Sequence, residues 1–167
     1  TKEGFEQVFG VNTVAPALLT LLLLQPVLLK NAHSRILFTS SMAHLMYGLS
    51  NAKVIDGKQV RTGEKLTQVD YENINPQKEE EFQWYRQYCV SKLGNTLFSQ
   101  QLEKMLSKKN SDSSFVFNAS FHPGVLETTL KNNGIEIPGL PVKEGIKTMV
   151  HLITMPDEEA KAKSGQY

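Results

Sequence analysis

Apolar residues follow three different rhythms along this chain, and each predicts a different element. The densest run, Val14 to Leu29 (VAPALLTLLLLQPVLL), is apolar at almost every position, interrupted by Pro16, Thr20, Gln25 and Pro26. A helix apolar nearly all round needs cover on several sides, so this run predicts a buried helix. Its 16 residues fall short of the ~20 that a membrane span requires. A second rhythm appears in two short apolar runs. Arg35 to Ser41 ends in hydroxyls, and Ser114 to Phe121 is stopped by His122-Pro123-Gly124. Each reads as a buried strand. Between them, Phe82 to Leu106 has the spacing of an amphipathic helix. Strand, helix, strand demands a right-handed crossover between parallel neighbours, and open α/β sheets build their sites at the C-terminal ends of such strands. Residues 42–83 have no regular period and are punctuated by Gly48, Gly57 and Gly63. A loop this long is functional or partly disordered, with a solvated excursion of no direct role as the equal alternative. Glu79-Glu80-Glu81 reads as the charged first turn of the helix that follows.

Composition narrows the function classes. At 167 residues with 40% apolar content, the chain fits a single globular domain. A formal net charge of +1 leaves no electrostatic footprint for nucleic acid or an anionic membrane. Cys89 is the only cysteine, so no internal disulfide forms, which suits a reducing, intracellular compartment. The four histidines (His33, His44, His122, His151) show no paired ligand spacing, and one cysteine cannot build a structural zinc site. Ser41 lacks the glycine pattern of a nucleophile elbow, which argues against hydrolysis. Asn118-Ala119-Ser120 matches a glycosylation sequon, but it falls in a strand expected to be buried.

Tyr88 and Lys92 carry the chemistry. Residues i and i+4 share a helix face, so the Lys92 ammonium can sit near the Tyr88 phenol. A phenol normally loses its proton near pH ~10, and a neighbouring positive charge favours the phenolate. That brings it toward the range where a general acid/base works best. Of the other tyrosines, Tyr47, Tyr71 and Tyr85 have Asn51, Asn75 and Cys89 at i+4, and Tyr167 is the last residue. Taken alone, the pair also fits a solvent-exposed Tyr-Lys couple of no consequence.

Val11-Asn12, Ser40-Ser41, Tyr88-Cys89-Val90-Ser91-Lys92-Leu93-Gly94-Asn95 and His122-Pro123-Gly124-Val125 occur in an order that resembles the short-chain dehydrogenases/reductases. The long polar stretch between Ser41 and Tyr88, the strings SKLGN and HPGV, and the closing Ser164-Gly165-Gln166-Tyr167 are similar to the retinol-dehydrogenase-like branch. The resemblance runs from the first residue to the last. It implies an α/β fold: the C-terminal portion of a Rossmann-type doubly wound parallel sheet, with the N-terminal strands and the glycine-rich turn for the pyrophosphate absent. Residues 1–167 are then a single incomplete domain, with 42–83 bordering the substrate entrance.

Roles follow from that resemblance. The implied cofactor is NAD or NADP, and the implied substrate a small lipophilic carbonyl or alcohol of retinoid, steroid or lipid-like character. Tyr88 would move a proton to or from the substrate oxygen. Lys92 would lower the phenol's pKa and bond the nicotinamide ribose. Ser41 would hold the substrate oxygen, with Ser40 as the competing serine. Asn12 would hold a water relaying protons to Lys92, or merely cap or kink its helix. Pro123, Gly124 and Val125 would let backbone approach the nicotinamide. Thr128 would bond the carboxamide, or else cap the segment after the turn. The resemblance also implies a homodimer through helices 11–29 and 82–106. The open sheet edge would be covered by the absent N-terminal portion or by another chain. The expected location is cytoplasmic, or the cytoplasmic face of an organelle membrane. Two alternatives share these residues: a non-catalytic scaffold that retains the fold, and a sugar-nucleotide epimerase or dehydratase.

Overall fold

The computed structural model describes residues 1–31, 33–46, 52–55, 58–61, 74–76, 84–108, 115–127 and 139–167. The chain starts with a helical segment in three parts: α1 (Gln7–Phe9), a π turn (Gly10–Val14) and α2 (Ala15–Leu24). The carboxylate of Glu6 caps it, accepting from Val8 N at 2.8 Å and Phe9 N at 2.7 Å. Asn75 reaches back from the long polar stretch, accepting from Glu6 N and donating to Gly4 O. Strand β1 (Ser34–Thr39) follows, then a 3₁₀ turn over Met42–Met46. Next come β2 (Ala52–Ile55), β3 (Lys58–Arg61), α3 (Trp84–Leu106), β4 (Val116–Phe121), α4 (Val142–Thr154) and α5 (Asp157–Lys163).

Strands β1 and β4 pair in parallel, from Ser34 opposite Val116 to Thr39 opposite Phe121, with α3 as the connection. Alternating residues of the pair feed two apolar layers, as the two-residue period of a strand requires. Phe38 and Val116 pack with Leu24, Leu102 and Leu106 on the side of α2 and α3, where the rings of Phe38 and Phe98 meet edge-on at 5.4 Å. Phe117 and Ala119 pack with Met155 and Ala160 on the side of α4 and α5. The result is a helix–sheet–helix sandwich. Arg35 ties the second layer down: its guanidinium donates to Leu152 O (2.9 Å) and Met155 O (2.7 Å), pairs with Asp157 and lies over the Phe117 ring. These bonds satisfy carbonyls that the end of α4 leaves free.

Three expectations need correction. The helix over 14–29 is covered on one side only: Thr20 and Leu24 are buried, whereas Leu18, Leu19, Leu21, Leu22 and Leu23 are exposed. Over Gln7–Lys30 it is long and apolar enough to cross a membrane by length and composition, with 22% of its most apolar stretch buried. Hydrogen bonds from Thr13 and Asn12 nevertheless fasten it to α3. Next, β1 is only half-buried, unlike β4, which is buried throughout. The cause is position in the sheet. The far edge of β4 pairs with the tail through Gly165 N to Asn118 O (2.7 Å) and Ser120 N to Gln166 O (3.2 Å), while no second partner strand flanks β1 among the described residues. Finally, the irregular stretch 42–83 contains an antiparallel pair, β2 with β3, from Ala52 opposite Arg61 to Ile55 opposite Lys58, with Asp56-Gly57 between them in the sequence. Asp-Gly between two strands is a strong hairpin signal that the charge-rich flanks obscured. Glu79 to Glu81 lies outside the described residues, as do Phe82 and Gln83. Asn118 is completely buried within β4, so the sequon is inaccessible in the fold.

Helix α3 approaches the π turn closely because Gly94 has no side chain; a Cβ there would lie 2.7 Å from Thr13 Cγ2. Alanine at this helical position gains ~1 kcal/mol of propensity where space is open, whereas overpacking costs ~1–3 kcal/mol. With Thr13 Oγ1 already bonded to Ser91 O at 2.8 Å, the side chain is not free to retreat. Gly94→Ala should therefore lower Tm by ~2–10 °C in thermal unfolding. In a Thr13→Ser background, which removes the clashing methyl and keeps the 3.1 Å approach of Oγ1, the same change should cost clearly less. Destabilisation of equal size in both backgrounds would place the strain elsewhere.

Candidate active site

Because β1 and β4 run parallel in register, Ser40-Ser41 and His122 to Val125 leave the sheet at the same end. Helix α3 is fastened to that end by its own polar residues. The Lys92 ammonium donates to Thr39 O at 3.0 Å, and Asn95 Nδ2 donates to the same oxygen at 3.1 Å. In return Ser40 Oγ donates to Lys92 O at 2.8 Å and shares a 3.0 Å bond with Thr96 Oγ1. Lys92 Nζ sits 5.5 Å from the centre of the Tyr88 ring, so the one-turn spacing brings cation and phenol ring together. Burial pushes the Lys92 ammonium below its ordinary range, because a charge loses water there.

The two serines separate cleanly. Ser40 is 2% exposed and its hydroxyl is committed to α3. Ser41 is half-buried, and its Oγ accepts from Ala43 N at 3.2 Å. Asn12 lies in the π turn, a widened coil that recurs at functional positions in helices. Its Nδ2 donates to Ser91 Oγ at 3.1 Å, and Ser91 Oγ donates to Tyr88 O at 2.8 Å. Asn12 therefore connects to the helix turn that presents Tyr88, within a helix whose coil is locally distorted.

On the β4 side, Gly124 adopts φ +92°, a left-handed conformation that favours glycine. The chain then runs through Leu126, bridged to Leu140 by Leu140 N to Val125 O (2.7 Å) and Glu127 N to Leu140 O (2.9 Å). Gly145 of α4 permits this packing, since a Cβ there would lie 2.3 Å from Leu126 Cδ2 and 2.8 Å from Pro123 O. Pro123, Gly124 and Val125 thus form a turn whose shape is set by α4. Thr128 lies outside the described residues.

Four contributors escaped the sequence reading: Thr39 through its carbonyl, Thr13, Ser91 and Asn95. Ser91 and Asn95 had a usable signal, each lying three residues after a site residue on the same helix face. Thr39 O had none, because a strand-end carbonyl carries no side-chain signature. Cys89, between Tyr88 and Val90, is completely buried, and burial pushes its thiol up to about 11. It is an inert packing residue, not a nucleophile. Among the described residues no cluster of metal-ligating side chains occurs.

No family model matches the chain, and no solved structure does. Curated proteins do. Retinol dehydrogenase 13 of Homo sapiens is 34% identical over 136 residues, covering 81% of this chain and 33% of the relative. Retinol dehydrogenase 14 of Mus musculus is 30% identical across the whole chain, which covers 45% of it. The WW domain-containing oxidoreductase of Homo sapiens is 31% identical over 74% of the chain. The chain thus spans between a third and just under half of the length of these retinol dehydrogenases.

The depressed pKa of Lys92 fixes the sign of a pH effect. The unfolded chain holds this proton up to about pH 10.4. The folded chain releases it earlier, so burial of the charge weakens the fold at neutral pH. That penalty fades as pH rises from the lowered folded value to the unfolded one. Measured by denaturant unfolding, wild type should gain stability relative to Lys92→Met between pH 7 and about 10.5. A difference that is flat, or that falls with pH, would contradict the assignment. By sequence, this chain is a homologue of retinol dehydrogenases over the segment it spans.

Proposed function

We propose that this chain carries the proton-transfer half of an NAD(P)-dependent oxidoreductase that interconverts a carbonyl and an alcohol on a lipophilic substrate. Retinoids are the first class to consider, since retinol dehydrogenases dominate its relatives. The observation that carries this reading is the Tyr88–Lys92 pair, held at the C-terminal end of the parallel strands by the Lys92–Thr39 bond.

Each residue has a physical part. Tyr88 gives its phenolic proton to a carbonyl oxygen during reduction and takes it back during oxidation. Lys92, already stripped of some water, supplies the adjacent donor that the ribose of a nicotinamide nucleotide would meet. Ser41, the serine whose hydroxyl is not bound to α3, holds the substrate oxygen where charge develops. Asn12 anchors through Ser91 to the backbone of Tyr88 and would hold a relay water beside Lys92. The bound dinucleotide would supply or accept the hydride. Gly124 fits its nicotinamide end, because the absence of a Cβ at positive φ leaves room beside Pro123 and Val125.

No glycine-rich turn for a pyrophosphate occurs within these 167 residues. The finer reading of the fold is therefore that this segment is the C-terminal part of a Rossmann sheet, whose first strands and phosphate turn would flank the half-buried β1. Exposed leucines of α2 are then the surface a second copy would cover, together with α3.

Tyr88→Phe removes the proton-bearing oxygen and leaves the ring. In the full-length protein kcat for NAD(P)H-dependent reduction of all-trans-retinal should fall ~10²–10⁴-fold, with dinucleotide affinity and Tm close to wild type. Retention of more than about half of the wild-type kcat would remove Tyr88 from the mechanism.

A further inference from the structure

His44 has no place in the proton path, yet it grips the residue before the 3₁₀ turn from two directions. Its ring Nδ1 lies 2.6 Å from Ser41 O, and its backbone N–H donates to the same oxygen at 2.9 Å. A carbonyl only accepts, so Nδ1 carries the proton. Ala43 N donates to Ser41 Oγ at 3.2 Å, which closes the turn from the other side. The imidazole is buried and meets the Tyr167 ring edge-on, with centroids 4.5 Å apart. Tyr167 arrives from the opposite end of the sequence, on the tail whose Gly165 and Gln166 pair with β4. Burial, and after it the nearby His44, disfavours the protonated form of His122, the first residue beyond β4. The ring of His44 is therefore held between the turn of Ser41 and the far edge of the sheet.

Two donors on one carbonyl oxygen fix the peptide plane that follows Ser41. That plane places the Ser41 Cα, and the Ala43 N bond to Oγ then sets the direction of the side chain. We propose that His44 is a positioning residue, whose Nδ1–H bond to Ser41 O, braced by Tyr167, sets where the Ser41 hydroxyl meets a substrate oxygen. The proposal rests on Ser41 holding that oxygen, as argued under the proposed function.

Two substitutions divide the ring from the donor. His44→Phe keeps a ring against Tyr167 and loses the N–H. His44→Asn places an amide N–H two bonds from Cβ, as Nδ1 is, and loses the ring. In the full-length protein, with all-trans-retinal and saturating NADPH or NADH, His44→Phe should lower kcat ~10-fold or more, because a misplaced group costs up to ~10²-fold. The KM for the dinucleotide should stay within about twofold, since no positioning effect reaches that site. His44→Asn should recover most of the loss. In a Ser41→Ala background His44→Phe should cost nothing further, the signature of action through Ser41. Independently of turnover, the ¹⁵N resonances of the His44 imidazole should report the Nδ1–H tautomer. Losses that multiply in the double variant, equal damage from Phe and Asn, or an Nε2–H tautomer would each overturn the proposal. Tyr88→Phe run beside these variants keeps the two readings apart. If it turns over like wild type, the catalytic reading falls. If it is inactive while His44→Phe turns over like wild type, only the positioning role falls.

Discussion

Everything at this site depends on one oxygen, the backbone carbonyl of Thr39. It terminates β1 and accepts from both Lys92 Nζ and Asn95 Nδ2. Two donors from one helix on a single strand-end carbonyl make its position and theirs mutually dependent. Ser40 closes the loop by bonding back to Lys92 O. Helix α3 thereby acquires a fixed rotation and height relative to the sheet. That rotation is what leaves Tyr88 half-buried and Ser91 turned toward the π turn.

The second fixed point lies deeper and is polar in a place where apolar residues are expected. Asn118, in the middle of β4, accepts from Ser99 Oγ at 2.6 Å and donates to Glu103 Oε2 at 2.7 Å, and Ser164 Oγ donates to the same carboxylate oxygen. Each member is satisfied, which is the condition under which a buried network orders a fold instead of weakening it. Its effect is to bind α3, β4 and the tail into one unit. Gly165 is part of that unit: at φ +76° a side chain would meet Glu103 Cβ at 2.7 Å. The tail held this way carries Tyr167 against His44, so the buried network and the site share a wall.

Legibility in the sequence followed the range of the interactions. The crossover from β1 through α3 to β4 was legible because strand runs and helical spacing are local patterns. The Tyr88–Lys92 pair was legible because i and i+4 is a property of the helix itself. The shortfall in burial of β1 and α2 was not, since cover depends on what lies beside an element and not on its own residues. The pairing of β2 with β3 had a local signal in the Asp56-Gly57 dipeptide, set among many charged residues. Thr39, Thr13 and His44 act through a carbonyl, a methyl clearance and a ring contact with residue 167, and no spacing rule spans those separations. The resemblance favours Ser41 over Ser40, and what the sequence could not show is that the docking of α3 commits the Ser40 hydroxyl.

Whether the cation beside Tyr88 drives chemistry is tested most directly by single-turnover reduction of all-trans-retinal in the full-length protein, with NAD(P)H saturating and Lys92 replaced by Met. The expected result is decay of the reduced dinucleotide at least ~10²-fold slower than in wild type, with the dinucleotide still bound at the start of the trace. Decay at the wild-type rate would contradict the acid–base pairing of Tyr88 and Lys92 and leave the Lys92–Thr39 bond as a purely structural feature.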